Sequence, residues 1–190
     1  MKRLILSRKG FDSSAGGGPS PILNDGRIFS LPIPQKEKSP FRYSDLKFDE
    51  FNGEDFIKKI KCSVSSETYC HFDPRLDQEI GIFGQANAAQ TELKNRDIQT
   101  GDLFLFFGWF RDFFYKGKNL HHLFGWLEVD RIIKGSKDIK HFLKQNNIEH
   151  PHGFGDVSRY TNNTIYIGKK KLSQNINING IPHTHAKSSG

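Results

Sequence analysis

The sequence predicts an α+β fold with a mainly antiparallel, partly barrel-like sheet and short flanking helices, and three observations carry that expectation. First, the apolar run Leu103-Phe104-Leu105-Phe106-Phe107-Gly108-Trp109-Phe110 has strand length, and a polar turn around 116–119 separates it from a second run over 122–133, the spacing of an antiparallel pair. Second, helical spacing of apolar residues is confined to three short stretches. Third, 17 phenylalanines stand against one methionine in 190 residues, so rings fill the core, several of them beside glycine. With 35% hydrophobic residues, residues 1–190 read as one domain with a single substantial core.

Taken in order, residues 3–7 read as a short buried first strand, and the stretch SRKGFDSSAGGGPSP after it as a loop, because it is too polar and glycine-rich to continue either element. Asn24-Asp25-Gly26 reads as a tight turn into a second strand over 27–34, closed by Pro32 and Pro34. Phe56, Ile57 and Ile60 have helical spacing within 53–61. In Cys70-His71-Phe72-Asp73-Pro74, the proline holds Asp73 extended. The alanines of 85–94 favour a second helix. Residues 103–110 read as the central strand, apolar on both faces, and 122–133 as its antiparallel neighbour. A third helix over 136–145 starts at a serine cap, and 164–168 is a last strand before Lys169-Lys170-Lys171.

The net charge is +7, with 28 Lys and Arg against 21 Asp and Glu, a surface that attracts polyanions, nucleic acid first among them. Cys62 and Cys70 lack metal or redox spacing, and only three aliphatic residues follow Lys2 and Arg3, so no secretory leader is evident. No apolar run approaches the roughly eighteen residues of a membrane helix. The expectation is a cytoplasmic protein with no membrane partner.

The strand pair GDLFLFF and HHLFGWLEV resembles the nucleic-acid-binding barrels of the PUA and ASCH class, which implies a small barrel. A more specific resemblance runs over nearly the whole chain. SRKGFDSSAGGGPSPIL from Ser7, SLPIP from Ser30, HFDP from His71, FGQANAAQ from Phe83, GDLFLFFGWF from Gly101, HHLFGWLEV from His121 and HPH from His150 resemble the nucleotide-modification-associated domain 3 family. That resemblance implies a bacterial or phage protein that keeps company with enzymes hypermodifying DNA bases, with DNA or a nucleotide and those enzymes as partners. It supplies a context rather than a reaction, and names no cofactor. It also implies a C-terminal segment continuing beyond Gly190, so the chain is expected to be incomplete there.

Three groups of residues could carry chemistry. The opening loop places Ser7, Arg8, Lys9, Gly10, Ser13 and Ser14 where backbone N–H groups and cations can hold phosphate oxygens, with Asp12 as a flanking carboxylate. It has neither GxxxxGK[ST] nor GxGxxG opening a helix, so it is neither a P-loop nor a dinucleotide fingerprint. His71 and Asp73 around Phe72 form a candidate acid/base pair beside a base, and Gln85 and Asn87 offer amides to a base edge. Thus His71, Asp73 and Asp12 are the catalytic candidates, and the loop residues with Gln85 and Asn87 the ligand-binding ones.

The histidines fall in three close groups, His121-His122, His150-Pro151-His152 and His183-Thr184-His185. Alternate imidazoles can chelate a divalent metal if Asp73 or Asp156 completes the set. No HExxH or cysteine set accompanies them, so no metal site is assigned. Trp109, Phe110 and Trp126 offer flat faces to an unstacked base but read first as core. The reading is a protein of a DNA base modification pathway that acts on or binds a nucleotide or modified base. Its alternative is a non-catalytic reader guiding partner enzymes.

Overall fold

A computed structural model describes residues 2–168 except 49, 61, 63, 78, 79, 115 and 116. The run at 103–110 organises the fold because its alternate side chains leave water on one face: Phe104, Phe106 and Phe110 are fully buried, while Leu105, Phe107 and Trp109 are half-buried. The elements are β1 (Leu4–Arg8), β2 (Ser20–Ile22), β3 (Ile33–Pro34), β4 (Phe41–Arg42), β5 (Lys47–Phe48), β6 (Phe51–Asn52), α1 (Gly53–Ile60), β7 (Tyr69–His71), β8 (Ile82–Gln85), α2 (Asn87–Asn95), β9 (Leu103–Asp112), β10 (Leu120–Lys134), α3 (Ser136–Gln145) and β11 (Thr164–Gly168). The fold is α+β and mostly antiparallel, as expected.

The main sheet has the order β1-β9-β10-β11-β8, and β2 also pairs with β9. β9, β10, β11 and β8 are antiparallel, whereas β1 and β2 run parallel to β9. Among the described residues these strands do not close into a barrel. Separate small sheets, β3-β7-β4 and β5-β6, pack with α1 around Phe11, Phe29, Tyr43, Phe48, Phe56 and Cys70. A second cluster lies on the main sheet around Phe83, Phe104, Phe106, Phe124 and Tyr166, and a third joins Ile82, Ile165 and Ile167 to Ile139, Phe142 and Leu143 of α3. Among the described residues no helix is long and apolar enough to cross a membrane.

Four local expectations need correction. The first strand is not buried: β1 sits at the sheet edge, where period-2 alternation exposes Leu4 and Leu6 by about 60% and turns Ile5 inward. Residues 27–34 form a ladder only at β3, because the intervening backbone bonds elsewhere: the Phe29 N–H donates to the Pro21 carbonyl, the Leu31 N–H to Ser20 Oγ, and the Leu31 carbonyl accepts from Phe11. Gln85 ends β8 rather than beginning a helix, since it still pairs with Thr164, and α2 starts at Asn87. Gly135, with φ 89°, holds the cap position of α3; Ser136 lies inside the helix and its Oγ accepts from Asn163. Lys169-Lys170-Lys171 and His183-Thr184-His185 lie outside the described residues.

The register also explains the glycine-rich stretch. β1 leaves the edge of β9 at Arg8, opposite Phe107, and β2 rejoins the same edge at Ser20, opposite Phe110. The loop is therefore an excursion from one strand line that returns to it. Gly16, at φ +95°, lets this backbone lie on the Phe11 ring, which a Cβ there would meet at 2.5 Å.

Two substitutions separate core from edge. Phe106→Ala, at a fully buried position, should cost about 3–5 kcal/mol, whereas Leu6→Ala on the exposed side of β1 should stay within about 0.5 kcal/mol. Urea unfolding of both variants checks the ranking, and equal losses would mean that the edge assignment of β1 is wrong.

Candidate functional site

The clusters described above meet at a group of polar side chains that are themselves buried. β7 delivers His71 at its C-terminal end, and the chain then turns back so that Arg75 bridges to Ile82 on both backbone groups. Asp73 thereby comes beside β8, and its Oδ1 accepts the Gly84 N–H at 2.7 Å. A short 3₁₀ turn over Pro151–Gly153, seated against α3, brings His150 and His152 to the same place. Arg75 anchors this segment by donating to the Glu149 carbonyl at 3.0 Å. From the opposite edge, Lys9 reaches in from the opening loop, its Nζ 3.7 Å from Asp73 Oδ2 and 4.3 Å from the Phe83 ring centroid.

The hydrogen-bond partners fix the imidazole tautomers. Gln35 Nε2 donates to the Glu37 and Lys38 carbonyls, so its Oε1 is the atom facing His71 Nδ1 at 3.0 Å, and Nδ1 must carry the proton. Asn163 Nδ2 donates to Ser136 Oγ and to the His152 carbonyl, so its Oδ1 accepts from His152 Nδ1–H at 2.7 Å. His150 Nδ1 instead accepts the His152 N–H at 3.3 Å, which leaves its Nε2–H to donate to Asp73 Oδ1 at 3.2 Å. The consequence is that His71 and His152 turn Nε2 lone pairs inward, while both hydrogen bonds on Asp73 fall on Oδ1. Asp73 Oδ2 accepts no hydrogen bond among the described residues.

Burial shapes the charges. It pushes the His71 imidazole down to about 3 and that of His152 to about 4, against the opposing pull of Asp73, so both rings are neutral near neutral pH. Burial also lowers the Lys9 ammonium, with Asp73 again opposing. For Asp73 itself burial favours the neutral acid, yet the hydrogen bond from His150 and the charge of Lys9 hold the carboxyl well below the usual carboxylate range. The site thus holds a carboxylate beside Lys9, with the His71 and His152 rings neutral. Tyr160 stacks on the His152 ring with centroids 4.8 Å apart. Gly84 makes room for that ring, since a Cβ there would lie 2.3 Å from His152 Cδ2.

Beside the cluster lies a cavity of about 650 Å³ between α2, β10 and β11. Tyr160 and Asn163 belong to both, and the cavity wall adds Gln90, Asn162 and Tyr166, with Lys94 and Lys134 among its lining. Asn87 holds the loop that carries Tyr160, because its Oδ1 accepts from both the N–H and Oγ of Thr161. Gln85 is half-buried on β8.

The remaining candidates are elsewhere. Asp12 spends its Oδ1 on the Ser14 N–H, Ser14 Oγ and the Ala15 N–H, and its Oδ2 stands 4.0 Å from Arg8. The hydrogen bond from Ser14 leads the effects that lower the Asp12 carboxyl. The N–H groups of Lys9, Phe11, Asp12, Ser14, Ala15 and Gly17 are all committed to protein acceptors. Ser7 pairs with Phe106 in the sheet, Gly10 packs against Ser30 at φ +82°, and Ser13 is exposed. Asp156 is exposed and bonded to the Ser158 N–H, and His121 lies on the exposed end of β10. Of the sequence candidates, His71, Asp73 and Lys9 therefore converge, joined by the His150-Pro151-His152 pair. Gln35, Gly84, Tyr160 and Asn163 were missed: single amides, glycines and tyrosines in loops carry no spacing signal.

An α+β protein with a buried histidine–carboxylate–lysine cluster is what fold and site together define. The chain belongs to the family described as nucleotide modification associated domain 3, whose match covers residues 3–188. No curated protein and no solved structure matches the chain. The family description associates it with nucleotide modification.

The Lys9–Asp73 pair can be tested by itself. Asp73→Asn leaves the largely buried Lys9 without its counter-charge and should cost about 3–5 kcal/mol, while adding Lys9→Met should recover most of that loss. Denaturant unfolding of the single and double variants measures the coupling, and strict additivity would show that the two groups do not interact.

Proposed function

We propose that the protein acts in a DNA base modification pathway, taking a nucleotide or an unstacked base into the cavity beside the histidine cluster. The observation that carries this reading is the shared wall: Tyr160 and Asn163 line the cavity and also touch His152. A ligand in the cavity would thus lie one side chain from His152 and two from the buried carboxylate. The lining suits a nucleobase, because Gln90 and Asn162 bring amides, Tyr160 brings an aromatic ring, and Lys94 and Lys134 supply positive charge for a phosphate. The family's association with nucleotide modification points to the same ligand class.

Within this reading His71 and Asp73 belong to the reacting centre, and Lys9 is its cation. Arg8 and Ser13, on the outer side of the opening loop, remain available to a longer nucleic-acid backbone. Buried imidazoles around a carboxylate, set one side chain behind the cavity wall, favour catalysis over the reader role, since perturbed titratable groups beside a cavity mark reacting centres more often than plain binding pockets.

Comparison of nucleosides by mass spectrometry in DNA from cells with and without the intact gene tests the pathway: loss of a modified nucleoside is expected, and identical profiles would refute it. Binding is tested by calorimetric titration with nucleoside monophosphates and short single-stranded DNA. Lys94→Ala with Lys134→Ala should leave the melting temperature unchanged because both side chains are exposed, weaken binding at least about tenfold, and reduce the salt slope by roughly 1.4 for a single strand. Unchanged affinity and slope would remove the cavity from the reading.

A further inference from the structure

We propose that His71 Nε2, His152 Nε2 and Asp73 Oδ2 form a three-donor site for a divalent transition-metal ion. One donor atom from each of the three residues lies within 4.8 Å of the other two, and His71 Nε2 is 4.0 Å from Asp73 Oδ2. Bonds of about 2.1 Å set tetrahedral ligands roughly 3.4 Å apart, so closure onto an ion needs side-chain shifts of about 1 Å.

Three features distinguish this cluster from an ordinary buried polar group. Each histidine donor has its other nitrogen tied to an amide oxygen, His71 to Gln35 and His152 to Asn163, and both amides are themselves fixed by further hydrogen bonds. This is the outer-shell arrangement that orients metal-binding imidazoles and raises their basicity. Next, Asp73 is only 7% exposed, yet Oδ2 accepts no hydrogen bond while Oδ1 takes two. A buried carboxylate oxygen left without a hydrogen bond costs free energy unless something else meets it. Finally, two imidazoles and one carboxylate form a donor set suited to zinc, iron or similar ions, and three protein donors leave positions open to water or to a ligand.

Lys9 has a defined part in this arrangement. Its ammonium balances Asp73 from 3.7 Å without a hydrogen bond, and an incoming dication would take over that role. Lys9 is therefore a competitor for the carboxylate rather than a fourth donor.

The test uses the full chain, stripped with a chelator and titrated with Zn²⁺ by calorimetry and with Co²⁺ by visible absorption. One ion per chain is expected. His71→Asn and His152→Asn keep a donor for the Gln35 and Asn163 amides but delete Nε2, and each should weaken binding more than about tenfold. Gln35→Ala, which touches no metal, should lose roughly 10–100-fold through the freed His71 ring. Lys9→Met should bind at least as tightly as the parent. Melting temperatures of the metal-free proteins show whether each variant folds; if His152→Asn does not, half-buried His71 decides the matter through His71→Asn. Absence of uptake by the parent chain would overturn the proposal. So would uptake that survives the His71 and Asp73→Asn substitutions, since the ion would then sit on other histidines. Neither result bears on whether the cavity takes a nucleotide, which the titration of DNA and monophosphates decides separately.

Discussion

Much of the molecule is arranged around one buried carboxylate. Asp73 brings a charge into a region that apolar clusters otherwise occupy, and an isolated charge there would be prohibitively costly. Its cost is met by groups from three separate segments: the Gly84 N–H on β8, the His150 imidazole beyond α3, and Lys9 from the opening loop. Holding these together constrains where β7 may end, how β8 pairs, and which way the 150–152 turn faces. The fit is close, since a glycine is needed at 84 for the His152 ring to approach.

The polarity of that constraint is uneven, and the unevenness is what makes the site chemically interesting. Both hydrogen bonds fall on one oxygen, and the groups facing the other are a lysine that stands off and two imidazole lone pairs. A purely structural carboxylate would be expected to satisfy both oxygens, because a half-satisfied buried network is worse than an apolar one. Fixed amides behind His71 and His152 rigidify the donors, and the neighbouring cavity places a space of ligand size against the same wall. Family membership associates the chain with nucleotide modification, and the ligand proposed for the cavity belongs to that class.

The opening loop shows how composition can mislead about role. Its glycines, hydroxyls and cations have the makings of an anion cradle, yet most of the backbone donors turn inward to Asp12, Ala15, Leu31 and Phe107. The reason lies in the sheet: β1 and β2 share one edge of β9, so the residues between them must leave and return over a short span. Asp12 organises that turn, and Lys9, at its root, is the side chain directed to the carboxylate. What composition described as a cluster of Arg8, Lys9 and Asp12 is therefore divided by the fold into a surface pair and one buried cation.

The α+β class, the strand pair β9 and β10, the last strand, the bounds of α3 and, through the resemblance of its motifs, the family were all legible in the residues alone. These rest on hydrophobic period and local motif, which act between near neighbours in the chain. His71, Asp73 and the His150-Pro151-His152 pair were also legible as candidates, because their residue types carry chemistry wherever they stand. That they belong together, with Lys9 and without Asp12 or Asp156, follows from the packing of distant segments. Donors 79 residues apart, as Asp73 and His152 are, meet through the packing of β7, β8 and the turn after α3, and no spacing rule reaches that far. The same holds for Gln35 and Asn163, whose amides become meaningful once a neighbouring imidazole fixes which of their atoms must accept a proton.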